Sequence, residues 1–128
     1  MRVVSGICAI LLIVFAGVQH NDPDVLFWGP IYAGGAILCA LAAFRPRTYV
    51  RAPAGLVYVA ALLASLAGMV WFWPSTPQWW MQEVWWEDET AREGMGMMVL
   101  AIALLLALPV VWRHRGRAGQ GEKRLERM

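Results

Sequence analysis

The chain has 128 residues, 59% of them hydrophobic and only 16% charged. That balance leaves too little polar surface to cover a water-soluble core of this size, so it excludes an ordinary soluble domain and points to membrane residence. The net charge of +2 says little as a sum. Its distribution along the chain says more.

The first apolar run covers residues 3–18 and holds no charged side chain. At about 16 residues it is short against the roughly 20 that a spanning helix needs, and its flanks complete it. Met1-Arg2, the apolar run and Val14-Phe15-Ala16 also fit a signal peptide cut after Ala16. The minimal basic region and the charge pattern favour a retained span. Gln19-His20-Asn21-Asp22-Pro23-Asp24 then packs two carboxylates, two amides, an imidazole and a proline between two apolar runs. Asp22 fits a helix N-cap, Pro23 the first helical position, and Asp24 the positive end of the helix dipole.

A second span over residues 25–44 follows. Trp28 and Tyr32 stand four apart near its start, and Gly35, Cys39 and Ala43 make a small-residue stripe suited to close helix contact. Residues 45–53 form a basic loop in which Pro46 and Pro53 stop and restart the helices. The third span, 54–73, carries a second stripe of Ala60, Ala64 and Gly68. Residues 74–93 bring Trp79, Trp80, Trp85 and Trp86 together with Glu83, Glu87, Asp88 and Glu89. Tryptophan favours the membrane–water interface, so a short surface helix or a loop folded over the acidic residues as a lid is expected. Thr90-Ala91-Arg92-Glu93 has capping-box spacing before a fourth span over residues 94–112. The tail, 113–128, is basic and polar, a cytoplasmic extension touching anionic headgroups and too short to argue for nucleic acid.

Four spans sort the charges. One side collects ten basic residues against Glu122 and Glu126, a net of +8. The other collects Asp22, Asp24, Glu83, Glu87, Asp88, Glu89 and Glu93 against Arg92, a net of −6. Short basic loops stay in the cytoplasm. The expected fold is therefore an all-α, multi-pass membrane protein, a four-helix bundle with both termini cytoplasmic and both acidic loops outside. In a bacterial cell it belongs to the inner membrane.

Neighbouring helix axes lie about 8–10 Å apart, so the two acidic loops can meet. The candidate ligand-binding set is Gln19, Asn21, Asp22, Asp24, Trp28, Tyr32, Glu89, Arg92 and Glu93. Glu89 and Glu93 share a helix face, and Arg92 can clamp Asp22 or Asp24. His20, Asp22, Asp24 and Glu93 are the candidate ligands of a divalent cation. The same residues also admit a plainer reading, in which Asp22, Thr90 and Glu93 only cap helices. The functional alternatives are a non-enzymatic protein binding a cation, small molecule or partner, a small membrane enzyme using the carboxylates as acid, base or metal ligands, and a structural subunit. In the last, the small-residue stripes form the surface for a partner or a second copy.

Several classes are excluded by position. The spans lack a titratable Asp, Glu, His, Lys or Arg at mid-depth, against a proton-coupled transporter. Cys8 and Cys39 sit in apolar runs with no metal-ligand spacing, against a disulfide framework, a cysteine zinc site or thiol exchange at the outer face. No phosphate loop and no Ser-His-Asp pattern occurs.

Val18-Gln19-His20-Asn21-Asp22-Pro23-Asp24 with the following Trp28 and Tyr32 resembles the first-loop signature of the transmembrane protein 220 family. Glu89-Thr90-Ala91-Arg92-Glu93, entering a glycine-containing span, is similar to that family's second signature. The resemblance covers nearly the whole chain. It implies a small multi-span membrane protein and supplies no established activity.

Overall fold

A computed structural model describes every residue except Asp22, and every side chain except those of Asn21, Asp22, Trp85 and Ala118. The chain is all-helical, with no strand among the described residues. Helix α1 spans Arg2–Val18, α2 Val25–Phe44, α3 Ala52–Trp71, α4 Gln82–Glu87 and α5 Glu89–Glu126. Short 3-10 turns cover Gln19–Asn21 and Pro46–Val50. Helices α2, α3 and α5 are long and apolar enough to cross a membrane, while α1 is apolar but shorter, at 17 residues.

The helices start and stop for local reasons. Helix α2 begins two residues later than an Asp22 cap requires: Asp24 is its N-cap, and the Asp24 carbonyl accepts from the amides of Phe27 and Trp28. Pro23 therefore precedes the cap. The Asp22 cap itself lies outside the described residues. Helix α3 starts with Pro53 in its first turn, where the missing N–H costs nothing. Helix α5 begins at Glu89, with Asp88 as its cap, so Thr90 and Glu93 lie inside the helix and form no capping box. At its far end α5 runs through the basic tail. Gly116, Gly119 and Gly121 do not terminate it, because none takes the left-handed conformation that glycine supplies at a helix end.

Helices α1 and α2 form an antiparallel pair, and α5 packs against α1, α2 and α3. Each buries a narrow stripe. On α5 it runs through Met97, Leu100, Leu104, Ala107 and Val111, and on α2 through Trp28, Tyr32, Gly35, Cys39 and Ala42. The opposite faces are apolar as well. Leu26, Phe44, Val70 and Val3 are all more than two-thirds exposed. A water-soluble protein does not leave such a surface bare, whereas a bilayer covers it.

Polar side chains bind the helices to one another through backbone carbonyls. The Tyr58 hydroxyl of α3 donates to the Leu104 carbonyl of α5. The Cys39 thiol of α2 approaches the Ala103 carbonyl at 3.9 Å. Tyr49, between α2 and α3, donates to the Leu38 carbonyl at 2.6 Å and meets the Tyr58 ring edge-on. Arg2 closes the α1–α2 pair by donating its Nε to the Ala43 carbonyl at 2.7 Å, where α2 leaves carbonyls without helical partners.

The first small-residue stripe is internal. A Cβ on Gly35 would lie 2.5 Å from Leu100 Cδ1, and Cys39 and Ala43 are buried. Of the second stripe, Ala60 and Ala64 face outward while Gly68 backs onto Met97.

Tyr58→Phe keeps the ring and removes the donor to Leu104. It should lower unfolding stability in mixed micelles by about 1 kcal/mol, with helix content unchanged by circular dichroism.

Candidate functional site

The Trp-rich segment is fastened to the start of α5 by one carboxylate. Asp88 accepts from the amides of Thr90 (2.9 Å) and Ala91 (3.4 Å), and from the Thr76 hydroxyl twelve residues earlier. The Thr76 bond, and then the two amides and the nearby Arg92, hold the Asp88 carboxyl below its ordinary pKa. Between Thr76 and α4 the chain turns sharply, with Gln78 at a φ of 59°. Trp73 packs edge-on against Trp79, and Trp79 against Trp80. The return brings α4 over the end of the helical body.

Close backbone approach sets the same end. Gly94 stands where a side chain would strike the Phe72 carbonyl and the Pro74 ring, which locks the end of α3 onto the start of α5. Two residues along, a Cβ on Gly96 would collide with the Tyr32 hydroxyl, so only glycine admits the tyrosine there. Tyr32 is 3% exposed and stacks on Trp28, itself 4% exposed, with centroids 6.1 Å apart. Phe72 meets Trp28 edge-on, and Phe15 of α1 leans on Tyr32.

Above these rings a cavity of about 490 Å³ opens between the end of α1, the start of α2 and the start of α5. Gln19, Trp28, Tyr32, Glu89, Arg92 and Glu93, all singled out from the sequence, line it. Asp24 stands beside them, its carboxylate within 4.8 Å of those of Glu89 and Glu93. The two acidic segments, some sixty residues apart in sequence, thus meet at one end of the protein.

The remaining members of the sequence-derived set stand differently. Asp22 and the Asn21 side chain lie outside the described residues. His20 is exposed, and its Nδ1 is engaged with the Gly17 carbonyl at 2.9 Å. The carboxylates that the fold brings together are Asp24, Glu89 and Glu93, so the cluster contains Glu89, which the expected cation set omitted, and does not contain His20. Arg92 donates its Nη1 to the Trp86 carbonyl at 2.6 Å. That bond ties α5 to the end of α4 and helps hold Trp86 in the cavity wall.

Sequence reasoning missed Phe15, Met95, Gly96 and Val99 as lining residues. All four sit within apolar runs, where only a three-dimensional neighbour distinguishes lining from lipid-facing surface. It also missed Asp88 as the cap. That signal was present, since an aspartate before Glu-Thr-Ala is itself a good N-cap.

Apolar outer faces and membrane-length helices define a small, all-helical membrane protein with, at one end, a largely apolar cavity edged by charged side chains. The chain belongs to transmembrane family 220, whose signature matches residues 11–109. That match takes in the aromatic floor, both acidic segments and most of α5. Comparison with curated proteins and with solved structures found no match.

Because Asp88 is held below its ordinary pKa, its capping contribution is complete above the usual carboxylate value of about 3.9 and is lost as pH falls through the lowered one. Asp88→Ala should therefore lower the melting temperature near neutral pH. The gap from the unsubstituted protein should narrow as pH drops below the carboxylate range, read by thermal denaturation in detergent.

Proposed function

We propose that the chain crosses the membrane four times, with both termini cytoplasmic, and that the acidic cavity binds a small ligand on the extracytoplasmic face. Supporting the topology, the basic residues gather at the ends where α2 leads into α3 and where α5 finishes, and short basic segments are retained in the cytoplasm. Helix α1, at 17 residues, serves as a span with its flanks reaching the interface.

The observation that carries the binding reading is the cavity itself. Its volume of about 490 Å³ falls in the range of sites for small organic molecules, roughly 300–1,000 Å³. Such sites combine apolar and aromatic walls with a few convergent polar groups, and this one has both. A purely capping role leaves the cavity unexplained, because Asp88 caps α5 and lies outside the lining. A second reading, a divalent cation, draws on the proximity of the Asp24, Glu89 and Glu93 carboxylates. Hard cations such as Ca²⁺ take 6–8 oxygen ligands, a number that three carboxylates reach at its lower end only if each binds through both oxygens, and otherwise with water or further donors.

Native mass spectrometry of gently solubilised protein, read beside elemental analysis, tests binding. We expect a stoichiometric adduct that disappears in Glu93→Gln while the melting temperature is retained. A bare protein in both forms sinks the binding reading. The topology is tested separately with a membrane-impermeant thiol reagent on intact cells. A cysteine replacing the exposed Glu87 should be labelled and one replacing Thr48 should not; the reverse pattern would invert the protein.

A further inference from the structure

Carboxylates, aromatic rings and apolar side chains share the cavity wall, and few ligands use all three. We infer that the ligand is an organic ammonium group. The inference rests on the cavity being a binding site, and names the chemistry it selects.

Charge comes first. Asp24, Glu89 and Glu93 bring three negative charges, and Arg92 one positive, leaving −2 at the mouth. Arg92 is already committed at Nη1 to the Trp86 carbonyl. A cation is therefore favoured over an anion.

Geometry comes second. A primary ammonium has three N–H donors in tetrahedral directions. At charge-assisted N···O distances of about 2.8 Å, its three acceptors stand roughly 4.6 Å apart. The three carboxylates offer oxygens that all lie within 4.8 Å of one another. That spacing lets each N–H face a different carboxylate.

The walls supply the third argument. Trp28, Tyr32 and Trp86 line the cavity, and the faces of such rings attract ammonium groups, most of all where water is excluded. Trp28 and Tyr32 are almost wholly buried. Phe15, Val18, Met95 and Val99 complete the lining with an apolar surface that methylene groups can cover. A hydrated divalent ion gains nothing from rings or aliphatic walls. Val18 lines the cavity and is 63% exposed, which leaves the wall open there for a chain attached to the ammonium group. The group can arrive on a membrane amphiphile or on a free amine; the recognition chemistry is the same.

The test is a titration of the purified full-length protein in non-ionic detergent, followed by tryptophan fluorescence. The probes are dodecylammonium, ethylammonium, dodecanol as an uncharged control, and calcium chloride at matched ionic strength. We expect saturable binding of dodecylammonium, at least tenfold weaker in Glu93→Gln and in Trp86→Ala, with dodecanol silent. Glu89→Gln provides a second charge variant on an exposed residue should Glu93→Gln fail to fold. Competition by ethylammonium identifies the free amine as sufficient; binding that requires the alkyl chain identifies an amphiphile. Saturable binding of calcium without dodecylammonium keeps the cavity as a site and overturns the ammonium assignment. Dodecylammonium binding untouched by either charge variant is partitioning, and overturns it too. Silence of every probe, together with no adduct in native mass spectra, removes the binding reading itself.

Discussion

The protein depends on α5 being shared. Helices α1, α2 and α3 all pack against it, and α2 and α3 reach its backbone with side chains, Cys39 at the Ala103 carbonyl and Tyr58 at the Leu104 carbonyl. Water cannot drive helices together inside a bilayer, because lipid tails are as apolar as leucine. Close packing and side-chain donors must do it. Gly35 lets α5 approach α2, Gly68 faces Met97, and the tyrosine fixes the register of α3 against the same helix.

The same principle builds the cavity. Tyr32 fits only because Gly96 has no side chain, and Gly94 draws the Phe72–Pro74 segment onto α5. These contacts make a rigid floor of stacked rings with helix starts around it. Asp24 then stands at the N-cap of α2, and Glu89 and Glu93 on the first two turns of α5. Trp28 and Tyr32 thus hold the body together and line the cavity at the same time.

Much of this was legible in the sequence because bilayer crossing imposes length and polarity. The span over 25–44 coincides with α2, and the third is α3 shifted by two residues toward the N-terminus. The meeting of the two acidic segments followed from helix count and charge sorting. What was not legible depends on particular contacts. The Thr90 capping box has a good pattern, yet Asp88 wins because Thr76 supports it from across a turn. The first small-residue stripe resembles a partner surface in sequence, and its identity as an internal face emerges only once α5 lies against it. The tail was set apart from the fourth span as a polar extension, but helix propagation from a long, well-packed segment carries α5 through it and overrides about 1 kcal/mol per glycine. Trp86 became a wall of the cavity through the Arg92 bond to its carbonyl, a pairing no spacing rule gives.

The unbroken course of α5 has a mechanical side. Its 38 residues make a rod about 57 Å long, with Glu89, Arg92 and Glu93 at one tip and Arg124 at the other. Pivoted near its middle, such a rod turns a tilt of one degree into a shift of about half an ångström at each tip. The Arg115 guanidinium, packed over Gly55 at the start of α3, sits well along the distal arm. One backbone thus joins the cavity end to the basic arm, with Pro109, which gives up a helix hydrogen bond, standing between them.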